Sequence, residues 1–273
     1  MIFAPFAYKQ QVSVSAYDPD AQAFFTAAGI TDTTQKSAVN TLVVDLKSNS
    51  LWNKMFILYP FVGGTSTTSK YNLKNTATYT ITWNGGVTFD ANGVTGNGST
   101  GYGQTGWIPK DVNALTGITT SLSVSVYSRS NRNADDTDMG TTAGGQPAIQ
   151  ILPKRASGNC IIDNYNSSNG RVQGAVTNSL GLFISSRTAQ NSMKGFRNST
   201  SFATNTTNAT TTDISTTLTK EMYVLAQNNN GTAASYSQRN IAFAHIGLGL
   251  SDAEVSTFYT LVQNYQTTLG RQV

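Results

Sequence analysis

The sequence predicts a mainly β fold, an antiparallel sandwich or jelly-roll with helices near both ends. Three observations predict it. Short apolar or alternating runs recur from residue 61 to residue 250, separated by dense Gly and Asn turn signals. Strands and helices do not alternate there, which argues against a parallel α/β sheet. Charged residues make up only 12% of the chain, about half of the roughly 25% usual in soluble proteins. Thr, Ser, Asn and Gly take their place, as suits short strands and frequent turns. Aromatic residues at 10% and recurrent apolar runs exclude a disordered chain.

The chain divides into three parts. Residues 1–17 form an arm whose Phe3, Phe6, Tyr8, Val12, Val14 and Tyr17 are too apolar for a free tail. It either lies on its own domain or docks on a neighbouring subunit. Residues 18–60 read as a helical segment packing on the sandwich or on a neighbour. Asp18-Pro19 supplies an N-cap and a first-turn proline, and Gly29 a stop. Asp32 and Gln35 form a capping-box pattern before the stripe Ala38, Val39, Leu42, Val43, Leu46. Leu51, Trp52 and Met55 predict a further helical turn, and Phe56 to Tyr59 a buried strand.

Residues 61–273 form the sandwich with its closing helix. Ser121 to Ser128 alternates Leu122, Val124 and Val126 with serines, the pattern of a half-buried strand. Further strands are expected over 148–152, 160–165, 171–176, 182–185, 223–226 and 241–246. Gly93 to Gly106 reads as turns between short strands. It lacks the Lys and Ser/Thr of a phosphate loop. The stretch 198–219, nearly all Ser, Thr and Asn, reads as either a loop or a polar β-segment. The closing helix spans 251–270, with Ser251 and Glu254 as a capping box and Val255, Phe258, Tyr259, Val262 and Leu269 on one face.

Charge and cysteine content exclude several function classes. The net charge is +4, from 18 basic and 14 acidic residues, but Lys and Arg are scattered singly. Nucleic-acid binding, which needs a basic stripe, is not expected. Cys160 is the only cysteine, so no intrachain disulfide forms. The N-terminal stretch lacks a basic n-region and no apolar run reaches the length of a membrane span, so neither export nor membrane insertion is expected. Asn-x-Ser/Thr triplets are plentiful, but without an export signal no glycosylation is assigned.

Two groups of residues carry a resemblance. One is Asp20-Ala21-Gln22-Ala23-Phe24 through Ala27-Ala28-Gly29-Ile30, with Leu51-Trp52-Asn53-Lys54-Met55 and Leu58-Tyr59-Pro60-Phe61-Val62-Gly63-Gly64. The other is Asn228-Asn229-Asn230-Gly231-Thr232-Ala233, Arg239-Asn240-Ile241-Ala242-Phe243, Ser251-Asp252-Ala253-Glu254 and Phe258-Tyr259. Together they resemble bacteriophage tail or head-fibre virion proteins whose main domain is similar to the concanavalin A-like, laminin G-like lectin jelly-roll. The similarity spans most of residues 18–273. It implies a virion protein, assembled in the host cytoplasm and extracellular after lysis. Other virion proteins, further copies of itself and a host surface polysaccharide are the partners it implies.

The fold also hosts glucanases, so catalytic acids matter. Retaining glycosidases need two carboxyl groups about 5–5.5 Å apart. Only two glutamates occur; Glu254 belongs to the capping box, and Glu221 has no acid at i+2 or i+4. No catalytic residue is assigned, although Asp90, Asp111 and Asp163 could still converge in space. Asp135, Asp136 and Asp138 are the candidate for a calcium site, as lectins of this fold bind calcium in such loops. The plainer reading is a solvated loop neutralised by Arg129 and Arg132, with no cofactor. His245 is the sole histidine and reads as a core or sheet-edge residue sharing parity with Ile241 and Phe243. Trp83, Tyr102 and Trp107 are candidates for stacking on sugar rings, with sandwich core as the alternative for each. The expected function is a non-enzymatic structural or adhesion protein of the virion, contacting host glycans by many weak sites. A polysaccharide-degrading enzyme of the same fold and a purely architectural subunit are the alternatives.

Overall fold

The computed structural model describes residues 17–110, 121–166, 170–207 and 218–273. Apart from Tyr17, the predicted arm lies outside them, as does Asp111.

Helix α1 (Pro19–Ala28) begins where Asp18 accepts from the Asp20 N–H at 3.0 Å, and Gly29 ends it at φ 67°. Helix α2 (Thr33–Ser48) begins at Asp32, which accepts from the Gln35 N–H at 2.8 Å. The reciprocal half of the expected box is not made. Gln35 Oε1 instead accepts from the Gly63 N–H at 2.9 Å and ties the helix to the loop beyond β1. The turn expected around Leu51 is a 3-10 turn, Trp52–Lys54, and Met55 already belongs to β1 (Met55–Tyr59).

The remaining strands are short. They are β2 (Thr82–Asn84), β3 (Thr88–Asp90), β4 (Gly93–Thr95), β5 (Tyr102–Gln104), β6 (Leu122–Ser128), β7 (Met139–Thr142), β8 (Ala148–Leu152) and β9 (Asn159–Asn166). Then follow β10 (Val172–Ala175), β11 (Gly181–Ala189), β12 (Ser192–Arg197), β13 (Thr200–Asn205), β14 (Tyr223–Val224), β15 (Gln227–Asn229), β16 (Thr232–Ala234) and β17 (Asn240–Gly247). Helix α3 (Asp252–Thr268) follows, with both halves of the Ser251–Glu254 capping box formed.

The strands form two facing sheets, as the sequence predicts. The first runs β13-β12-β11-β6-β17-β4-β3, with β1 also on β17. The second runs β10-β9-β8-β7-β14-β5-β2, with β15 on β7 and β16 on β15. Pairings between named strands are antiparallel except β15 with β7. Ile57, Val124, Val126, Phe183 and Ile246 of the first sheet meet Met139, Ile149, Ile151, Ile162 and Val224 of the second. The helices cover the other face of the first sheet. Val39, Leu42, Leu46, Val255, Phe258 and Val262 pack on Leu182, Ile184, Phe196 and Phe243. Each such side chain contributes about 1.5–3 kcal/mol by leaving water. The helical segment over 18–60 therefore packs on its own sandwich.

This layering corrects the reading of Ser121 to Ser128. Every residue of β6 is buried, because the helical layer lies over its serine face. A bulge between Ile241 and Phe243 corrects the parity of β17. Ile241 faces the second sheet, whereas Phe243 faces the helices.

Three arginines are fully buried. Arg271 acts as a clasp. Its Nη2 donates to the Pro60 and Ala242 carbonyls at 2.8 and 2.9 Å, Nη1 to the Phe61 carbonyl at 2.9 Å, and Nε to Gln266 Oε1 at 2.6 Å. Arg239 is caged by backbone carbonyls and Asp138. Arg187 differs: Nη2 reaches only Met193 Sδ at 3.7 Å, and Nε and Nη1 have no partner. Burial pulls its pKa down to about 10.

Orphaning a buried carbonyl costs roughly 1–3 kcal/mol. Arg271→Met, which orphans several, should lower stability in urea unfolding by at least about 3 kcal/mol. Arg187→Met removes an uncompensated buried charge and should be neutral or stabilising in the same measurement.

Candidate functional site

Because the central strands of the first sheet are covered on both faces, the outer face of the second sheet is, among the described residues, where a run of polar strand side chains gathers. Register places Gln104, Tyr223, Gly140, Gln150 and Asp163 opposite one another on successive strands β5, β14, β7, β8 and β9. Alternation sets their direction. Ile149 and Ile151 face the core, so Gln150 between them faces out; Ile162 does the same for Asp163.

Beside Gln150 lies an open pocket of about 380 Å³. Its walls come from the β7–β8 turn (Gly144, Gly145, Gln146), from Arg171 just before β10, and from Gln227 and Asn229 of β15. Its size is within the range of small-ligand sites, roughly 300–1,000 Å³.

A hydrogen-bond network fixes these side chains. Asp163 has a fully buried side chain and accepts from Arg171 Nε at 3.0 Å, Arg171 Nη2 at 2.7 Å and Gln150 Nε2 at 2.6 Å. Gln146 Nε2 donates to the same carboxylate at 3.4 Å. Gln227 Nε2 donates to Gln150 Oε1. Thr142 donates to Asn229 Oδ1 at 3.2 Å. The Asp163 carboxylate holds the Arg171 pKa above its ordinary value. The pocket thus presents a neutral ion pair framed by amides.

The sequence-predicted stacking residues are not brought together. Trp107 is fully buried in the inter-sheet core, which corrects its assignment as a sugar platform. The Gly-rich flank that made it look exposed instead lets the chain dive inward. Trp83 and Tyr102 sit on paired strands, but Trp83 lies opposite Gly103 whereas Tyr102 lies opposite Asn84. Their side chains therefore point to opposite faces. Trp83 is half-buried against Phe61 and Phe89, with ring centroids 6.2 and 5.1 Å away. Tyr102 is on the outer face, 4.7 Å from Tyr223 and 6.0 Å from Tyr236, and stays half-exposed.

The three clustered aspartates diverge. Asp135 binds Arg155 at 2.9 Å, and that guanidinium holds its pKa below the usual value. Asp136 binds Arg132 at 3.0 Å. Asp138 is fully buried, bound to Arg239 at 3.2 Å and Ser237 at 2.7 Å. Arg132 neutralises the cluster as the sequence suggested, Arg129 instead turns away to the Arg271 carbonyl, and Arg155 and Arg239 are the further neutralising cations. Among the described residues, no three acidic, His or Cys side chains gather as a metal would need.

Glu254 caps α3 and pairs with Lys54. Glu221 accepts from the Gly106 N–H at 2.6 Å. Asp90, on the first sheet, caps a turn through the Asn92 N–H and does not meet Asp163. His245 is fully buried between Ser123 and Ser125 and against the Phe258 ring. Ser123 donates its proton to the Leu248 carbonyl at 2.7 Å, so it accepts from His245 Nε2, and Nδ1 accepts from Ser125. Desolvation pulls the His245 pKa down to about 3. Cys160 is buried, and desolvation pushes its thiol pKa well up.

Sequence reasoning missed Gln146, Gln150, Arg171, Gln227 and Asn229. The one available signal was a polar residue inside an apolar strand run, as in Ile149-Gln150-Ile151 and Ile161-Ile162-Asp163.

No known family model and no curated protein matches the sequence. Solved structures do match in fold. The receptor-binding domain of a botulinum neurotoxin C/D mosaic serotype aligns with TM-score 0.54 at 12% identity, over 77% of this chain and 51% of that one. Domain 4 of AbnA, a GH43 extracellular arabinanase from Geobacillus stearothermophilus solved with arabinotriose, aligns with TM-score 0.51 at 14% identity, over 75% of this chain and 98% of that one. NanB sialidase from Streptococcus pneumoniae aligns with TM-score 0.44 at 15% identity over 64% of this chain, which spans about a quarter (27%) of the sialidase chain. The first two likenesses establish the fold: an antiparallel β-sandwich, shared by domains of otherwise different proteins.

Two measurements check the internal chemistry. Removing the arginine from a buried pair costs about 3–5 kcal/mol, so Arg239→Ala should lower unfolding stability by that amount, with Asp138 left unpaired. His245 is protonated more readily in the unfolded chain, whose pKa is near 6.5, than in the folded one. Stability is therefore full above about pH 6.5 and falls on acidification towards pH 3, by at most about 1.4 kcal/mol per unit. A His245→Gln variant should lack this component in unfolding titrations across that range.

Proposed function

We propose that this chain is a non-enzymatic glycan-binding protein that engages surface polysaccharide through the outer face of its second sheet. The observation that carries this reading is the open pocket walled by Gln146, Gln227, Asn229 and Arg171 over the Gln150 floor. Amides and a guanidinium are the groups that match sugar hydroxyls. The network beneath holds them in place, so little ordering cost is left for binding. Tyr102, half-exposed on the same face, adds an apolar ring for the C–H face of a sugar. The arabinanase domain of similar fold, solved with arabinotriose, supports the reading by analogy of fold alone.

The non-enzymatic part rests on the carboxylates. Glu221, Glu254 and Asp163 are each committed to a structural hydrogen bond, and among the described residues the pocket wall itself carries no carboxylate, Asp163 lying buried beneath it. The virion setting rests on the resemblance of the helical opening and the closing segments to phage fibre proteins. There, copies of the chain beside other virion proteins would make shallow sites effective together.

Gln150→Ala and Gln227→Ala should each weaken binding to a responsive glycan on an array by about tenfold or more, the loss of one to two hydrogen bonds. Reducing-end release from the same glycan should stay at background. Sugar release that grows with time would replace this reading with the depolymerase alternative.

A further inference from the structure

Resting on the glycan reading, we infer that the Gln150 pocket selects uncharged sugars and disfavours acidic ones. The pocket has one cationic wall residue, Arg171, and at first sight that guanidinium invites a carboxylate. It is already answered. Nε and Nη2 both bind Asp163, whose side chain is fully buried beneath it. The pair sums to zero charge, so an anion arriving above it meets little net attraction. The Arg171 side chain is 34% exposed, and its Nη1 remains as an N–H donor rather than as an unbalanced charge.

The other walls carry both polarities of hydrogen bond. Gln227 spends its NH2 on Gln150, which leaves Oε1 as an acceptor. Gln146 points its NH2 at Asp163, and its Oε1 is buried with no hydrogen-bond partner. Asn229 uses Oδ1 to accept from Thr142, which leaves its NH2 as a donor. Buried polar atoms without partners are rare, and Gln146, a wall residue, carries one at the pocket's edge.

A hydroxyl donates one hydrogen bond and accepts others, so it can satisfy both kinds of wall. A carboxylate only accepts. Placed in this pocket, it would turn its oxygens towards the Gln146 and Gln227 oxygens and leave both unmet. Neighbouring hydroxyls of a neutral hexose, the C6 hydroxyl included, fit the donor and acceptor set; a uronic acid seated with its C6 carboxylate in the pocket fits only the donor half of it.

The test titrates the full-length chain with glucose, galactose and mannose, and with the matched glucuronic, galacturonic and mannuronic acids. The side-chain amide resonances of Gln146, Gln150, Gln227 and Asn229 are followed by NMR. At least one hexose should move these resonances, and its uronic acid should bind about tenfold more weakly or worse. Hexose binding should not change between low and high salt, because no net charge is engaged. Asp163→Asn keeps the shape and an acceptor but releases the Arg171 charge. It should raise uronic-acid affinity relative to hexose by about tenfold. If Asp163→Asn fails to fold, the wild-type sugar comparison and salt titration decide alone. A uronic acid that binds these amides as tightly as its hexose overturns the inference and leaves the glycan reading standing. Amides that respond to neither class of sugar remove the glycan reading and the inference together.

Discussion

Burial of the first sheet on both faces is the constraint on which the rest of the structure depends. Strands β11, β6 and β17 lie between a helical layer and the second sheet, so a polar side chain there is costly unless it finds a partner nearby, as Arg187, Ser128 and Ser185 fail to do in full. Ser123, Ser125 and His245 solve this among themselves and with the Leu248 carbonyl. Ser186 solves it with the Leu250 backbone. These groups look reactive when read as a list, but they are interior fittings. Gln150 and Asp163, on the second sheet's outer face, are likewise buried, but they lie beneath the pocket walls.

The pocket owes its order to a buried charge. Asp163 would be costly to bury alone. It is tolerated because Arg171, Gln150 and Gln146 converge on it. Stability and pocket geometry therefore share atoms: the bonds that make the carboxylate tolerable also orient the pocket amides. The same logic at Asp138 and Arg239 has no opening to solvent and serves only to close one end of the sandwich.

The sandwich, its closing helix and its longer apolar strands were legible in the sequence, because local signals are strong there. Asp18-Pro19, the Ser251–Glu254 box and the apolar runs of β8, β9 and β17 each work within a few residues. The short strands β2, β3, β7, β15 and β16 and the hairpin strand β12 were not, and β13 falls in a stretch open to either a loop or a polar β-segment. Ser192-Met193-Lys194-Gly195-Phe196-Arg197 is partly alternating, but a register shift between Gly195 and Phe196 breaks its period. Trp107 misled because a glycine-rich flank is equally typical of an exposed loop and of a chain turning into the core. The pocket was out of reach. Its residues lie between 142 and 229 and meet only through non-local pairing of β7, β8, β9 and β15.

The pocket is built unevenly. Its floor, Gln150 over Asp163, belongs to strands whose opposite sides are core, whereas its rim consists of a glycine turn and the start of a hairpin. Residues at such tips can be exchanged or lengthened with little effect on the layers beneath. Changes in the 143–147 turn and the 229–232 tip therefore reshape the rim of the pocket without touching its floor. The interior would carry the same sheets through every such change.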